Sequence, residues 1–460
     1  MATFLTSTVP RKNSFTGNSV LVFVAQVFRY VLMVAAWAIV ARALGPAALG
    51  RLQLEFVFCS WVVLFTELGL SIGTIYYVGK KFYPVEDVLG YVLFRAVIAS
   101  AASVTALWIA SPLVLRYVKV PADLYVWVLV WIPLQILTYY LGALFTAEQR
   151  FGQLYVVTFL QGVAVILVIA PLTLLLKLGD RGALAGIMAG TLVAATVEFA
   201  ILVGKFHWRN LSIRRNMNRD FLRFGIRGYF ANIAQLFTYR FDSFIVGYDA
   251  GSAALGIYAV AYTAAELLWY IPSTVATVLM TTTAGSSAEE ASVRTARVCR
   301  MALLFAGTAG IAGGLVASPV FPLLGARYAA SITLLWALLP GTILLAAAKI
   351  LSADFIGRGR PEYSSHSSGV GFVATVVLDL LLIPRYGALA AAVISSLIYG
   401  LQTLYLFRCF RFESGLPYRQ FVLAEKSDLA LLLRAVSRET TRLRLFPLAA
   451  NRAKASIETL

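Results

Sequence analysis

Residues 25–50 read AQVFRYVLMVAAWAIVARALGPAALG, and residues 234–256 read AQLFTYRFDSFIVGYDAGSAALG. Ala25-Gln26-Val27-Phe28-Arg29-Tyr30 aligns with Ala234-Gln235-Leu236-Phe237-Thr238-Tyr239. Pro46-Ala47-Ala48-Leu49-Gly50 aligns with Ser252-Ala253-Ala254-Leu255-Gly256. A third pair, Gly182-Ala183-Leu184-Ala185 and Gly387-Ala388-Leu389-Ala390, follows in the same order. Partners stay roughly 205–209 residues apart. Ala, Leu and Gly are abundant, so a single match means little. Three matches in order, at a nearly constant offset, mark an internal duplication.

What is duplicated follows from composition. Hydrophobic residues make up 60% of the 460-residue chain and charged residues only 13%, whereas a soluble domain carries roughly 25% charge. A soluble fold could not hide so much apolar surface, so the bilayer is the solvent for most of this chain. Apolar runs bounded by charges, Gly and Pro place membrane helices at 16–41, 53–79, 88–115, 124–147, 154–176, 182–204, 224–249, 253–283, 298–324, 332–356, 367–384 and 387–408. Pro133, Pro171, Pro272 and Pro340 are expected to kink their helices. The repeat length equals about six helices, and an even number gives both copies one orientation. The expected fold is all-α and integral to the membrane, with two parallel six-helix lobes around a central cavity that open alternately to either side. The chain then divides into a cytoplasmic N-terminus (1–15), an N-lobe (16–204), a basic linker (205–223), a C-lobe (224–411) and a tail (412–460).

Basic residues set the sidedness. With the N-terminus in the cytoplasm, the inward connections carry Arg11, Lys12, Lys80, Lys81, Arg150, Lys205, Arg209, Arg214, Arg215, Arg219, Arg223, Arg294, Arg297, Arg300, Arg358 and Arg360. The outward ones carry only Arg42, Arg51, Arg116, Lys119, Lys177, Arg181, Arg327 and Arg385. The positive-inside rule therefore puts both termini in the cytoplasm of a multi-pass inner-membrane protein. Arg11 and Lys12 precede an apolar stretch too long for a cleaved signal, which is read as a retained first helix. The net charge of +17 mostly reflects this asymmetry, and no soluble basic domain exists for nucleic acid. In the tail, apolar and basic residues interleave at near-helical spacing, which predicts an amphipathic helix on anionic lipid or a partner-binding helix. Cys59, Cys299 and Cys409 fall in or beside apolar segments with neither disulfide nor metal spacing.

The stretch ARALGPAALGRLQLEFVFCSWVVLFTELGLSIG resembles the start of the polysaccharide-type, lipid-linked oligosaccharide flippases (the Wzx-like branch of the multidrug/oligosaccharidyl-lipid/polysaccharide exporter superfamily). FGIRGYFANIAQLFTYRFDSFIVGYDAGSAALGIYAVAYTAAELLWYIPSTV resembles that family's seventh and eighth helices, and IGRGRPE and LLIPRYGALAAAVISSL its later ones. The resemblance spans about residues 15–410. It implies a fold like that of the multidrug and toxic-compound extruders. It also implies a cargo, a polyprenyl-diphosphate-linked sugar chain moved from the inner to the outer leaflet. Membrane lipid and other polysaccharide-assembly proteins are the expected partners.

Charges inside a bilayer are costly and mark cavities or partners. Arg29, Arg240 and Lys349 lie deep in their helices and are candidates for a cationic path that accompanies a lipid diphosphate. Arg95 and Arg227 sit nearer helix ends, where snorkelling suffices. Asn232, Gln235, Tyr239 and Asp242 fall on one helical face, and Asn18, Gln26 and Arg29 form a similar stripe in the first helix. Both stripes are expected to line the cavity, with polar helix–helix contacts as the alternative. Asp242, Glu266, Asp354 and Asp379 are candidates to bind Na⁺ or a proton and couple its entry to export, with interhelical ion pairs as the alternative. Glu198 belongs to the same acidic group, and Glu67 is placed near an outer helix end. No cofactor or resident metal is expected. A cation-coupled drug extruder is the second reading, although central cations argue against a cationic cargo. A polysaccharide polymerase or ligase is the third. The chain carries no Gly-rich nucleotide loop, triad or metal signature, and its outward connections are short, so it reads as a non-enzyme.

Overall fold

The computed structural model describes residues 15–117, 121–205, 216–283, 286–425 and 428, with the side chains of all of these except 15–30, 117, 205, 227, 228, 231 and 281. Lipid offers the backbone no hydrogen bonds, so a spanning segment must satisfy its own, and an α-helix does so. The elements are α1 (Phe15–Glu67), α2 (Leu70–Gly79), α3 (Val85–Ile109), α4 (Ser111–Tyr117), α5 (Ala122–Ala147), α6 (Phe151–Ala170), α7 (Gly179–Lys205), α8 (Met217–Ile245), α9 (Ser252–Thr283), α10 (Ala288–Leu324), α11 (Ala330–Gly357), α12 (Glu362–Ser414) and the short α13 (Arg419–Val422). Among the described residues there is no strand. Among the described residues, nine stretches are long and apolar enough to cross a membrane, and the chain is a multi-pass membrane protein.

Each apolar run read from the sequence falls on these helices, with differences at breaks and ends. Gly45 (φ 79°) interrupts α1 and Gly387 (φ 64°) interrupts α12, so each contains two helices that meet at a kink. Both sit in the left-handed region that glycine enters without steric cost. The run 53–79, expected as one helix, is broken at Leu68 and Gly69. Glu67 is the last residue of α1, at a break inside the predicted span. Pro171, which has no N–H to donate, begins an i→i+5 turn over Pro171–Leu175. α8 and α10 start well before their apolar runs, because a helix continues into water where hydropathy no longer reports it.

The chain forms two compact units. The first comprises residues up to 265, 314–338 and 368–398. The second comprises 266–313, 339–367 and 399 onward. In the first unit α5 is central: Trp131, Ile132, Ile136, Leu141, Leu144 and Phe145 are sealed from solvent, and Trp131 donates to Thr191 (3.1 Å). Val97, Leu167 and Val316 are exposed, as apolar side chains facing lipid should be. Trp61 packs between Phe237 (ring centroids 4.4 Å) and Phe244 (4.1 Å). The duplicated motifs meet face to face. A Cβ on Gly50 would fall 1.8 Å from the Ser252 carbonyl oxygen, and one on Gly256 would fall 1.9 Å from the Pro46 oxygen. Repeat-equivalent glycines thus bring the α1 and α9 backbones into direct, reciprocal contact.

In the second unit, Gly415 ends α12 and the chain folds back. Phe421 is buried against Phe407 and Phe410. Arg300 pairs with Asp428 (2.9 Å) and Glu425 (2.9 Å) and also bonds the Gln420 carbonyl. Burial pushes the Asp428 carboxyl up, but the Glu425 N–H and the Arg300 guanidinium outweigh it and hold the group below the usual carboxylate range. The described start of the tail is therefore clamped to α10 and α12 rather than laid out as an amphipathic helix. Residues 429–460, on which the rest of that expectation falls, lie outside the described residues.

Candidate functional site

Asp242 lies near the end of α8, one turn before an i→i+5 turn over Val246–Ala250. It is 4% exposed. One carboxylate oxygen accepts from the Ser243 N–H (2.6 Å) and hydroxyl (3.2 Å). The other accepts from the Tyr258 hydroxyl of α9 and from Ser395 of α12 (3.2 Å). Asp379, also on α12, is fully sealed from solvent, and neither of its oxygens has a hydrogen-bond partner among the described residues. The charge of Asp242 also acts on it. Three helices of one unit thus bring two carboxylates together where water cannot screen them. Two negative charges at low dielectric repel strongly, so such a pair takes up a proton or a cation. Carboxylate and hydroxyl oxygens are a hard donor set, suited to Na⁺ rather than to a transition metal. No cluster of three or more His, Cys, Asp or Glu side chains capable of holding a metal occurs among the described residues.

Arg240 precedes Asp242 by two residues. Its guanidinium lies over the Tyr262 ring, 4.7 Å from the centroid. Tyr262 meets Tyr258 edge to face at 5.3 Å. The cation and Asp242 therefore rest on one tyrosine stack of α9. In the second unit, Lys349 lies 5.1 Å over Trp269, which meets Tyr399 at 6.1 Å. Such cation–π contacts stabilise a half-buried charge. The Arg29, Asn18 and Gln26 side chains lie outside the described residues, as does that of Arg227. On α8, Gln235 donates to Tyr239 (3.2 Å) across one helical turn; Gln235 is exposed, while Asn232 and Tyr239 are half-buried. Arg95 bonds Asn218 (3.2 Å).

The remaining acids have other surroundings. Asp354 accepts from Arg358 (2.6 Å), Thr295 (2.7 Å) and Thr283 (3.3 Å). Arg358 also donates to Ser292 (3.1 Å) and lies over the Phe410 ring. Glu266 is buried on the same unit's portion of α9. Glu198 is 4% exposed, and one of its oxygens has no partner. Sequence reasoning named Asp242 and Asp379 as candidates but did not name Ser395 or give Tyr258 this role. The two come from other helices and carry no local pattern. The Asp354–Arg358 spacing, i and i+4, was the visible signal for a pair.

A model of the polysaccharide biosynthesis protein family matches residues 39–333, more than half of the chain. The chain belongs to that family. No curated protein matches it by sequence. Among solved structures, this family member is similar to an inward-facing multidrug resistance MATE-family transporter of the MOP superfamily (TM-score 0.71, 16% identity, 84% of this chain and 94% of that one). It is also similar to the lipid II flippase MurJ in an inward closed conformation (0.73, 12%, 87% and 89%). A third likeness is to a MOP superfamily transporter from Pyrococcus furiosus with a binding pocket of reverse polarity (0.64, 17%, 86% and 94%). At these identities the likeness establishes the fold, which this polysaccharide biosynthesis protein shares with MOP-superfamily transporters.

Proposed function

We propose that the chain is a flippase that carries a polyprenyl-diphosphate-linked oligosaccharide from the inner to the outer leaflet of the cytoplasmic membrane. The observation that carries this reading is the match to a polysaccharide biosynthesis family on a transporter fold. Residues 16–204 and 224–411 form the two lobes, and alternating access moves the glycan while its polyprenyl tail stays in lipid. Arg240, with Arg29 and Lys349, accompanies the diphosphate, since fixed guanidinium and ammonium groups offset phosphate charge where water is scarce. Asp242 and Asp379, with Ser395 and Tyr258, take up Na⁺ or H⁺ whose inward movement resets the carrier. Both termini face the cytoplasm, where the basic connections lie.

The test is a deletion strain in which lipid-linked glycan is quantified on each leaflet beside surface polysaccharide. Complete glycan–lipid held on the inner leaflet, with surface polysaccharide lost, is the expected result. Arg240→Ala and Arg29→Ala should insert normally yet fail to restore transport. If both restore it fully, the cationic path is wrong. The MATE likeness favours one alternative, a cation-coupled extruder. Normal glycan with raised sensitivity to toxic cations would establish that reading instead.

A further inference from the structure

We infer that the break between α1 and α2 is a second cation site, separate from the Asp242–Asp379 pair and specific for a small monovalent ion such as Na⁺. The break is set by backbone as well as side chains. Leu68 holds φ 48°, a left-handed value that a leucine adopts only under constraint, and Gly69 follows at φ 80°. A helix end inside a membrane leaves carbonyls without partners. Two tyrosines answer this: Tyr229 donates to the Phe65 carbonyl (3.2 Å) and Tyr140 to that of Thr66 (3.0 Å).

What they leave unanswered is polar and buried. Glu67 is fully sealed from solvent. One of its oxygens accepts the Ser71 N–H at the start of α2 (3.0 Å), which fixes the carboxylate at the break. The other oxygen has no hydrogen-bond partner, and neither does the Ser71 hydroxyl. The Tyr139 hydroxyl acts on both the carboxylate and the Ser71 side chain, short of full hydrogen-bond geometry. One turn along α2, the Thr74 hydroxyl is 1% exposed and likewise without a partner. Among the described residues, Glu67 has no ion-pair partner. A buried carboxylate oxygen left unmatched is costly, and so is each idle hydroxyl.

One occupant resolves the deficits of Glu67 and Ser71 together. A cation of single charge balances one carboxylate, whereas a divalent ion would leave net charge in the bilayer. A proton would neutralise the carboxylate but leave the hydroxyl oxygens with only one another and the carboxyl, whereas their lone pairs suit an ion that accepts several oxygens. Interrupted membrane helices recur as ion sites for this reason: the break puts oxygens and a helix terminus at one depth.

The test is Na⁺ binding to the purified full-length protein in lipid nanodiscs, read by ²²Na⁺ uptake and by the Na⁺-dependent shift in thermal unfolding against K⁺. The Asp242→Asn/Asp379→Asn double variant removes the other site. It should still bind Na⁺ saturably, and adding Glu67→Gln should abolish that binding. Ser71→Ala in the same background, which keeps the carboxylate, should weaken affinity by roughly tenfold or more. It decides the matter if the Glu67 variant does not fold. The inference is overturned if the double variant binds no Na⁺, if binding survives Glu67→Gln, if Ser71→Ala leaves affinity unchanged, or if only pH and not Na⁺ moves the unfolding temperature.

Discussion

Asp354 and Asp379 are equally sealed from solvent, yet they have opposite surroundings. Asp354, in the second unit, holds an arginine at 2.6 Å and two threonine hydroxyls. Asp379, in the first, has no hydrogen-bond partner and faces another carboxylate. The contrast separates two uses of a buried charge. Where the chain supplies the countercharge, the carboxylate fastens helices. Where it supplies a second acid, Arg240 offsets part of the charge on Asp242 and a proton or cation from outside supplies the rest.

The sharpest way to break this comparison is Asp354→Asn. It strands the Arg358 guanidinium and should cost about 3–5 kcal/mol of stability, read by thermal unfolding in detergent. Asp379→Asn should leave stability unchanged or raised, because it relieves like-charge repulsion. It should instead lower affinity for the coupling cation by on the order of 100-fold, measured by isotope binding in the Glu67→Gln background. If the two variants exchange phenotypes, the contrast fails. Tyr258→Phe is milder: Asp242 loses one donor but keeps Ser243 and Ser395, so cation affinity should fall about tenfold with the fold intact.

The smallest effect extends the comparison to Asp428, an acid outside the membrane with its own arginine. Its folded pKa lies below the unfolded value of about 3.9. The clamp on Arg300 is therefore fully stabilising above that value and is lost as pH falls through the folded one. Limited proteolysis after Gly415 should be slow at neutral pH and accelerate only below about pH 4.

Much of the helix pattern was legible because twenty apolar residues have few alternatives in a bilayer. Asp379 stood out for a related reason: a carboxylate in a short apolar run needs an explanation. The α1–α2 break was not legible, since Leu68 and Gly69 look like any Leu-Gly step and only tertiary packing forces their φ values. Nor were Ser395 and Tyr258, whose relation to Asp242 exists only after three helices have packed. The tail was misread where it is described, because Arg300, counted as an inward surface charge, is 7% exposed. Its acidic partners lie more than a hundred residues downstream.

The reciprocal seat of Gly50 on the Ser252 carbonyl and of Gly256 on that of Pro46 puts backbone against backbone with no side chain between them. A contact cushioned by leucines can loosen by degrees, one rotamer at a time. Two backbones in direct apposition have no such intermediate settings, so they part only when whole helices move. The crossing behaves as a snap fastener rather than a hinge, and its release is a single all-or-none event.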